Sequence, residues 1–152
     1  MKLYRLYKQI HLNINKEQCW EFFSKPENLK RITPEYMNFE ILRGGGTDMY
    51  SGQIIEYKVN ALPGLRLNWV TEITHVKEFE FFVDEQRFGP YSFWHHKHFF
   101  KETPDGMDCV DELHYLPPMG PLGRLMNALI IKKKLDEIFN YRQSKLTEIF
   151  ES

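Results

Sequence analysis

The sequence lacks the features that mark several large classes of protein. Lysine and arginine number 20 against 21 aspartates and glutamates, so the formal net charge is −1. Nucleic-acid-binding domains carry a concentrated basic surface, and this balance therefore predicts no nucleic-acid partner. No apolar run approaches the roughly 18 residues that a membrane-spanning helix needs. We expect no transmembrane segment.

Cysteine is also scarce. Cys19 and Cys109 are the only two, they stand 90 positions apart, and they form no C-x-x-C motif. This usage predicts reduced thiols in a cytoplasmic protein rather than a disulfide framework. The first ten residues contain no apolar segment of the kind found in signal peptides, so we expect none. We expect one domain, residues 1–152, because this length suits a single hydrophobic core.

What the sequence does contain is a series of alternating segments typical of β-strands. They are predicted at residues 2–12, 37–43, 53–60, 65–77, 79–88, 91–102 and 107–116. Turns are expected at the glycines of 44–46, at Pro63-Gly64, at Gly89-Pro90 and at Asp105-Gly106. Seven strands in succession predict an antiparallel sheet.

Two short helices are predicted between the first two strands. Asn15 and Gln18 have the spacing of a capping box, which opens a helix over Lys16–Phe23. Ser24 and Glu27 repeat that spacing and predict a second helix that ends before Pro34.

A long helix is predicted from Gly120 to the C-terminal end. Its apolar residues fall on two nearly opposite arcs, and a straight helix cannot bury both against one sheet. The helix therefore bends near residues 127–130, or its first part contacts something besides the sheet. The first arc holds Leu122, Leu125, Met126, Leu129 and Ile130; the second holds Ile131, Leu135, Ile138, Phe139, Leu146, Ile149 and Phe150.

The strands from 79 to 116 mix apolar and polar side chains on one face. Such a face is typical of a small-molecule pocket, which is mostly apolar with a few convergent polar groups. A two-residue loop at Gly89-Pro90 would pair Glu85 with Trp94, and the turn at Asp105-Gly106 would bring Asp111 onto the same face. The shared face would then carry Phe81, Glu85, Arg87, Trp94, His96, His98, Phe100, Asp111, Leu113 and Tyr115.

Four motifs resemble those of the START-like, or SRPBCC, helix-grip superfamily, near its polyketide cyclase/dehydrase and coenzyme-Q-binding branches. They are Leu29-x-x-Ile32-Thr33-Pro34, Asp84-Glu85-Gln86-x-x-Gly89-Pro90-Tyr91, Trp94-x-His96-x-His98-x-Phe100 and Gly123-Arg124-Leu125. The resemblance spans essentially the whole chain. It implies an α+β fold in which an antiparallel sheet wraps around the C-terminal helix and encloses a ligand cavity.

The polar residues of the shared face admit three interpretations. They form a self-satisfied buried network, or they hold the polar end of a ligand, or they act as catalytic or metal-binding groups. Arg142 lies in the buried arc of the last helix and either pairs with a strand carboxylate or clamps a ligand. Lys132–Lys134 predict a solvated helix face, with contact to an anionic membrane as the alternative.

These observations predict a protein that binds a small hydrophobic molecule, such as a lipid, polyketide or isoprenoid, and does no chemistry of its own. The alternatives are a cyclase- or dehydratase-type enzyme that uses His96, His98 and Asp111, and a homodimeric interaction module. We expect no cofactor and no tight metal site, because no third histidine or cysteine stands at a diagnostic spacing. The predicted ligand-binding residues are Trp69, Phe81, Glu85, Arg87, Trp94, His96, His98, Phe100, Asp111, Leu113, Tyr115, Met126 and Arg142.

Overall fold

Seven antiparallel strands form one sheet in the computed structural model, which describes residues 2–62 and 64–151. The strands lie in the order β1-β7-β6-β5-β4-β3-β2, so each hairpin is built from consecutive strands and β1 returns to pair with β7. Their bounds are β1 Tyr4–Leu12, β2 Glu40–Arg43, β3 Gln53–Leu62, β4 Leu65–Lys77, β5 Phe81–Phe88, β6 Phe93–Thr103 and β7 Gly106–Leu116. The predicted turn at Pro63-Gly64 includes Pro63, which lies outside the described residues.

The helices cover one face of this sheet. Helix α1 spans Lys16–Phe23 as predicted, with the capping box formed between Asn15 and Gln18. The long C-terminal helix runs from Gly120 to Glu151, with α2 at Gly120–Met126 and α3 at Lys132–Glu151. Leu135 and Phe139 of α3 pack against Leu113 of β7. The predicted α+β helix-grip architecture is confirmed.

Two local predictions in the segment after α1 are wrong. The second helix is a 3-10 helix over Pro26–Ile32 without a side-chain cap, and Glu27 instead accepts a hydrogen bond from the backbone N–H of Gly46. Strand β2 begins at Glu40 rather than at residue 37, because Asn38 adopts a left-handed conformation with φ of 45° and ends a short 3-10 turn over Glu35–Met37.

The phase change in the C-terminal helix is a π-helical segment over Asn127–Ile131. It lies where the sequence predicted either a bend or a change of contacts, and a π-turn holds an extra residue, which rotates the following helix about its axis. The side chain of Asn127 is buried and accepts a hydrogen bond of 2.9 Å from the Tyr115 hydroxyl on β7. The segment is thus anchored to the sheet.

The pairing of β5 with β6 differs from the predicted register by one residue. Asp84 lies opposite His96, and Glu85 lies opposite His95. The cause is Gln86, whose side-chain amide makes two hydrogen bonds with the backbone of Tyr91, at 2.6 and 3.1 Å. This clamp holds a longer connection than the two-residue loop assumed from Gly89-Pro90. A one-residue change moves every side chain of β5 to the opposite face.

Candidate ligand-binding site

A cavity of about 380 Å³ lies between the concave face of the sheet and the C-terminal helix. Aromatic rings form much of its wall: Trp94 lies 5.0 Å from Trp69 and 4.8 Å from Tyr91, measured between ring centroids. Tyr57 stacks on Trp69 at 5.9 Å. The volume falls within the range of roughly 300–1,000 Å³ found for small-molecule pockets.

Two carboxylates and two imidazoles meet on the cavity side of the sheet. The alternation of β6 directs His96 and His98 to the same face, and the pairing brings Asp111 of β7 opposite His98. Strand β5 supplies Asp84, which lies opposite His96. Arg142 reaches this group from α3, across the cavity from the sheet. We call these five residues the buried polar cluster.

The contacts in the buried polar cluster are close and shared. Oδ2 of Asp84 lies 2.6 Å from Nε2 of His98 and 3.4 Å from Nδ1 of His96. Oδ1 of Asp111 lies 3.0 Å from the other nitrogen of each ring, Nε2 of His96 and Nδ1 of His98. Nη2 of Arg142 lies 3.3 Å from the same Asp111 oxygen. Both imidazoles therefore bridge the two carboxylates.

The surroundings shift the carboxylate pKa values downward. Burial alone raises the pKa of Asp111, but the charge of Arg142 and the hydrogen bonds from both histidines outweigh it and hold that pKa well below its usual value. Burial also raises the pKa of Asp84, and the two histidines reverse that effect so that its pKa is lowered. Both carboxylates are ionised at neutral pH.

The two histidines are shifted in opposite directions. Burial lowers the pKa of His98, but its hydrogen bonds to Asp111 and Asp84 more than compensate, so the pKa is raised. Burial together with the nearby charge of His98 lowers the pKa of His96. Arg142 and the two imidazoles thus surround the two carboxylates and partner both of them. A buried group of charges is tolerated when it is paired in this way.

Three predicted site residues lie on the wrong side of the sheet. Phe81, Glu85 and Arg87 belong to the convex face because of the one-residue change in the β5–β6 register. There, Oε1 of Glu85 lies 2.5 Å from Nδ1 of His95, and Arg87 pairs with Glu85 at 3.2 Å. Glu85 and Arg87 therefore pair on the outer surface and do not reach the cavity.

The remaining predicted residues lie on the cavity side. Those that line the cavity are Trp69, Trp94, His96, His98, Met126 and Arg142. Phe100, Leu113 and Tyr115 are buried in the core of the same face. Asp111 lies behind the histidine rings and acts on the cavity through them. Arg142 makes the predicted pair with a strand carboxylate, Asp111, and also lines the cavity.

Several polar and aromatic cavity residues were missed from the sequence, among them Tyr57, Thr71, Asp84 and Tyr91. Asp84 and Tyr91 both stand in the motif that carried the family resemblance, and the wrong register excluded Asp84. Thr71 accepts a hydrogen bond of 3.0 Å from the Trp69 indole and lies 3.1 Å from the Tyr57 hydroxyl. Tyr57 and Thr71 could have been found from the alternation of β3 and β4, which places them on the same face as Trp69.

Asp84, His96 and His98 could hold a metal ion. Each offers one ligand atom, and these atoms lie within 4.8 Å of one another. The expectation of no metal site rested on the absence of a third ligand at a recognisable spacing. The structure supplies that third ligand from a neighbouring strand.

The mouth of the cavity is bordered by an exposed apolar stripe on the first part of the C-terminal helix. Leu122, Leu125 and Leu129 are 49%, 56% and 67% exposed, while Met126 and Ile130 line the cavity. Arg124 is exposed on the same stretch. Among the described residues, no helix combines the length and the apolar character needed to cross a membrane.

A sheet that wraps around a long helix and encloses a cavity defines the helix-grip fold. Residues 12–138 match the model of the family described as polyketide cyclase / dehydrase and lipid transport. The match covers most of the chain, so the protein belongs to this family. The family description supports hydrophobic ligand binding in general.

Solved structures of similar fold come from several organisms. Protein CV1439 from Chromobacterium violaceum is 14% identical with a TM-score of 0.73, and the match covers 97% of this chain and 98% of that protein. TTHA0849 from Thermus thermophilus is 13% identical with a TM-score of 0.71, over 95% and 98% of the two chains. Ginseng major latex-like protein 151 from Panax ginseng is 11% identical with a TM-score of 0.67, over 97% of both. At these identities the likeness establishes the fold, and among curated protein sequences none matches the chain.

Proposed function

We propose that this protein binds a small hydrophobic molecule, of the size of a lipid, polyketide or isoprenoid fragment, in the cavity beneath the C-terminal helix. The observation that carries the proposal is the cavity of about 380 Å³, walled by aromatic rings and open to the buried polar cluster. Apolar walls supply affinity through the hydrophobic effect, and a few fixed polar groups supply orientation.

The polar end of the ligand is expected to be uncharged. Asp84 and Asp111 already share Arg142 and the two imidazoles as partners, so a free carboxylate on the ligand would bring a third negative charge close to them in a buried site. A hydroxyl can donate to Asp84, whose carboxylate has acceptor capacity beyond its contacts with His98 and Trp94. This argues for an alcohol in preference to a fatty acid.

Native mass spectrometry of freshly purified protein, followed by denaturation and identification of any released molecule, tests the proposal directly. A complementary titration compares 1-dodecanol with dodecanoate, which share a chain and differ in the head group. Trp69 and Trp94 line the cavity, so their fluorescence reports binding. Tighter binding of the alcohol is expected, and equal or tighter binding of dodecanoate would contradict the uncharged end.

Two adjacent isoleucines of β3 provide a matched control. Ile55 is 4% exposed and lines the cavity, whereas Ile54 is 50% exposed on the opposite face. Ile55→Trp should fill part of the cavity and weaken dodecanol binding, while Ile54→Trp should leave it unchanged. Equal effects of the two substitutions would mean that the ligand binds elsewhere.

The exposed stripe suggests how a ligand enters. Leucines beside Arg124 and Lys133 have the character of a surface that rests on an anionic membrane, and the cavity opens next to them. We expect sedimentation with phosphatidylglycerol vesicles to exceed that with phosphatidylcholine vesicles, and Leu125→Glu with Leu129→Glu to abolish it. Concentration-dependent dimerisation lost in the same variant would instead identify the stripe as a contact between two copies.

A second candidate function is acid–base catalysis of the cyclase or dehydratase type. The observation in its favour is the 2.6 Å contact between His98 and Asp84, both of which line the cavity. In this version Asp84, rather than the predicted Asp111, touches the substrate. Conversion of the co-purified molecule to a product of different mass, abolished by Asp84→Asn, would favour the enzyme over the carrier.

A further inference from the structure

We propose that Asp84, His96 and His98 form a binding site for one divalent transition-metal ion on the sheet side of the cavity. The site is a two-histidine, one-carboxylate set contributed by two neighbouring strands, a donor set that suits first-row divalent metals. All three residues line the cavity, so a coordination position would remain open towards it. Zn²⁺ is used below as the probe metal.

The ligand atoms have nearly the required spacing. Metal–nitrogen and metal–oxygen bonds of about 2.0–2.2 Å in a tetrahedral site place the ligand atoms about 3.4 Å apart. Nδ1 of His96 lies 3.4 Å from Oδ2 of Asp84, and Nε2 of His98 lies 2.6 Å from the same oxygen. Opening the second contact by about 0.8 Å would admit the ion. One potential ligand atom from each of the three residues lies within 4.8 Å of the other two.

The surrounding contacts are those that metal-binding histidines require. A ligating histidine usually donates its second N–H to a carboxylate or carbonyl, which fixes the ring. Here a single oxygen of Asp111 lies 3.0 Å from both second nitrogens, Nε2 of His96 and Nδ1 of His98. The Trp94 indole contacts the other oxygen of Asp84 at 3.3 Å. Each of the three metal-binding side chains is therefore positioned by a contact with a neighbouring residue.

Arg142 assigns the two carboxylates to different roles. Its guanidinium lies 3.3 Å from Asp111 and 3.4 Å from Nδ1 of His98. A second cation would be repelled on that side of the rings, and Asp111 is left to position the histidines. The ion is therefore expected beside Asp84, at the ring nitrogens that face this carboxylate. This predicts an unusual pair of ring atoms, with His96 coordinating through Nδ1 and His98 through Nε2.

The proposal stands apart from hydrophobic ligand binding, because it is tested with the metal alone. Calorimetric titration of metal-free, full-length protein with Zn²⁺ should show one site per chain. Asp84→Asn should weaken it at least about 100-fold, since loss of a mere positioning partner costs roughly 10–100-fold. Glu85→Gln and His95→Gln change the same kinds of residue on the opposite face and should leave it unchanged.

A second measurement needs no variant and covers the case in which Asp84→Asn fails to fold. Long-range ¹H–¹⁵N spectra of the imidazoles report which nitrogen binds Zn²⁺. Nδ1 coordination for one histidine and Nε2 coordination for another, assigned to His96 and His98, would support the site. Zn²⁺-induced shifts confined to other histidines, or no saturable binding to wild-type protein, would overturn it.

Discussion

The two faces of strands β5 and β6 carry the same kinds of residue in opposite circumstances. On the convex face, Glu85 and His95 lie 2.5 Å apart with side chains 24% and 25% exposed. On the concave face, Asp84 and His98 lie 2.6 Å apart with side chains 15% and 6% exposed. The two contact distances are nearly equal. The outer pair is partly screened by water, whereas the inner pair is more deeply buried and lines the cavity. The environment, rather than the residue types, makes the inner group a candidate site.

This difference has an energetic consequence. Exposed ion pairs contribute roughly 0–1 kcal/mol because solvent screens them and the side chains lose entropy. Buried charges depend on one another, because removal of one partner leaves another in a poor solvent. The inner group should therefore respond to substitution as a unit, whereas the outer pairs should respond separately and weakly.

The largest difference in stability between the two faces is expected when the arginine of each face is replaced. Arg142→Met removes the permanently charged partner of Asp111 and should lower the free energy of unfolding by about 3–5 kcal/mol. Arg87→Met removes a half-exposed partner of Glu72 and Glu85 and should cost at most about 1 kcal/mol. Urea denaturation of both variants measures the difference. Equal losses would mean that the buried charges are not interdependent.

The second largest difference between the two faces is expected in the dependence of stability on acid pH, measured on protein freed of metal with EDTA. Asp84 and Asp111 have lowered folded-state pKa values, so they stabilise the fold above their unfolded values of about 4 and lose that contribution as the pH falls through the folded values. The pKa of His96 is also lowered, so its contribution to stability is likewise lost in acid. The loss begins as the pH falls below about 6.5, the unfolded value. The pKa of His98 is raised, so this residue acts in the opposite direction: its contribution is full below about 6.5 and is lost as the pH rises through its folded value.

Urea midpoints measured across the acid range test this. Asp111→Asn should flatten the loss of stability with falling pH, whereas Glu85→Gln on the convex face should leave the slope of wild type. An Asp111→Asn profile parallel to wild type would show that acid unfolding originates outside the buried polar cluster.

These contrasts explain how far the sequence could lead. Helix α1 and strand β4 were predicted to the residue, because a capping box and turn residues are local signals. The face that His96, His98 and Asp111 share was also predicted correctly, since the Asp105-Gly106 turn sets which residues of β6 and β7 lie on the same side. The β5–β6 register was not, because the side chain of Gln86 binds the backbone of Tyr91. No local sequence rule predicts such a contact. The predicted set of cavity residues therefore omitted Asp84 and wrongly included Glu85.

Neighbouring phenylalanines of β5 should show the same contrast on a smaller scale. Phe82 is 3% exposed and stacks on His98 at 4.2 Å, whereas Phe81 is half-buried on the other face against Phe99. Phe82→Leu should cost about 1–1.5 kcal/mol and Phe81→Leu about 0.5 kcal/mol or less. Thermal or urea unfolding measures both. A larger loss from Phe81→Leu would support the register first expected from the sequence.

The C-terminal helix shows a similar contrast between its exposed first part and its buried second part. The smallest of the predicted effects is expected here. Residues 120–130 expose their leucines, while Leu135, Phe139 and Leu146 are buried. Gly123 lies where a side chain has no room, because a Cβ there would lie 1.8 Å from the carbonyl oxygen of Pro118. Its absence of a side chain permits the close approach of the chain that enters α2.

If the first part of the helix gates the cavity, it should open more readily than the rest. Hydrogen exchange should show weaker protection in 118–130 than in 131–150, and protection should rise when dodecanol is added. Leu135→Ala serves as a control, since it loosens the buried part without altering the exposed stripe. Uniform protection along the helix, unchanged by the alcohol, would rule out the gate. The π-helical segment at Asn127–Ile131, fixed by Tyr115, would then be a static means of packing two arcs on one domain.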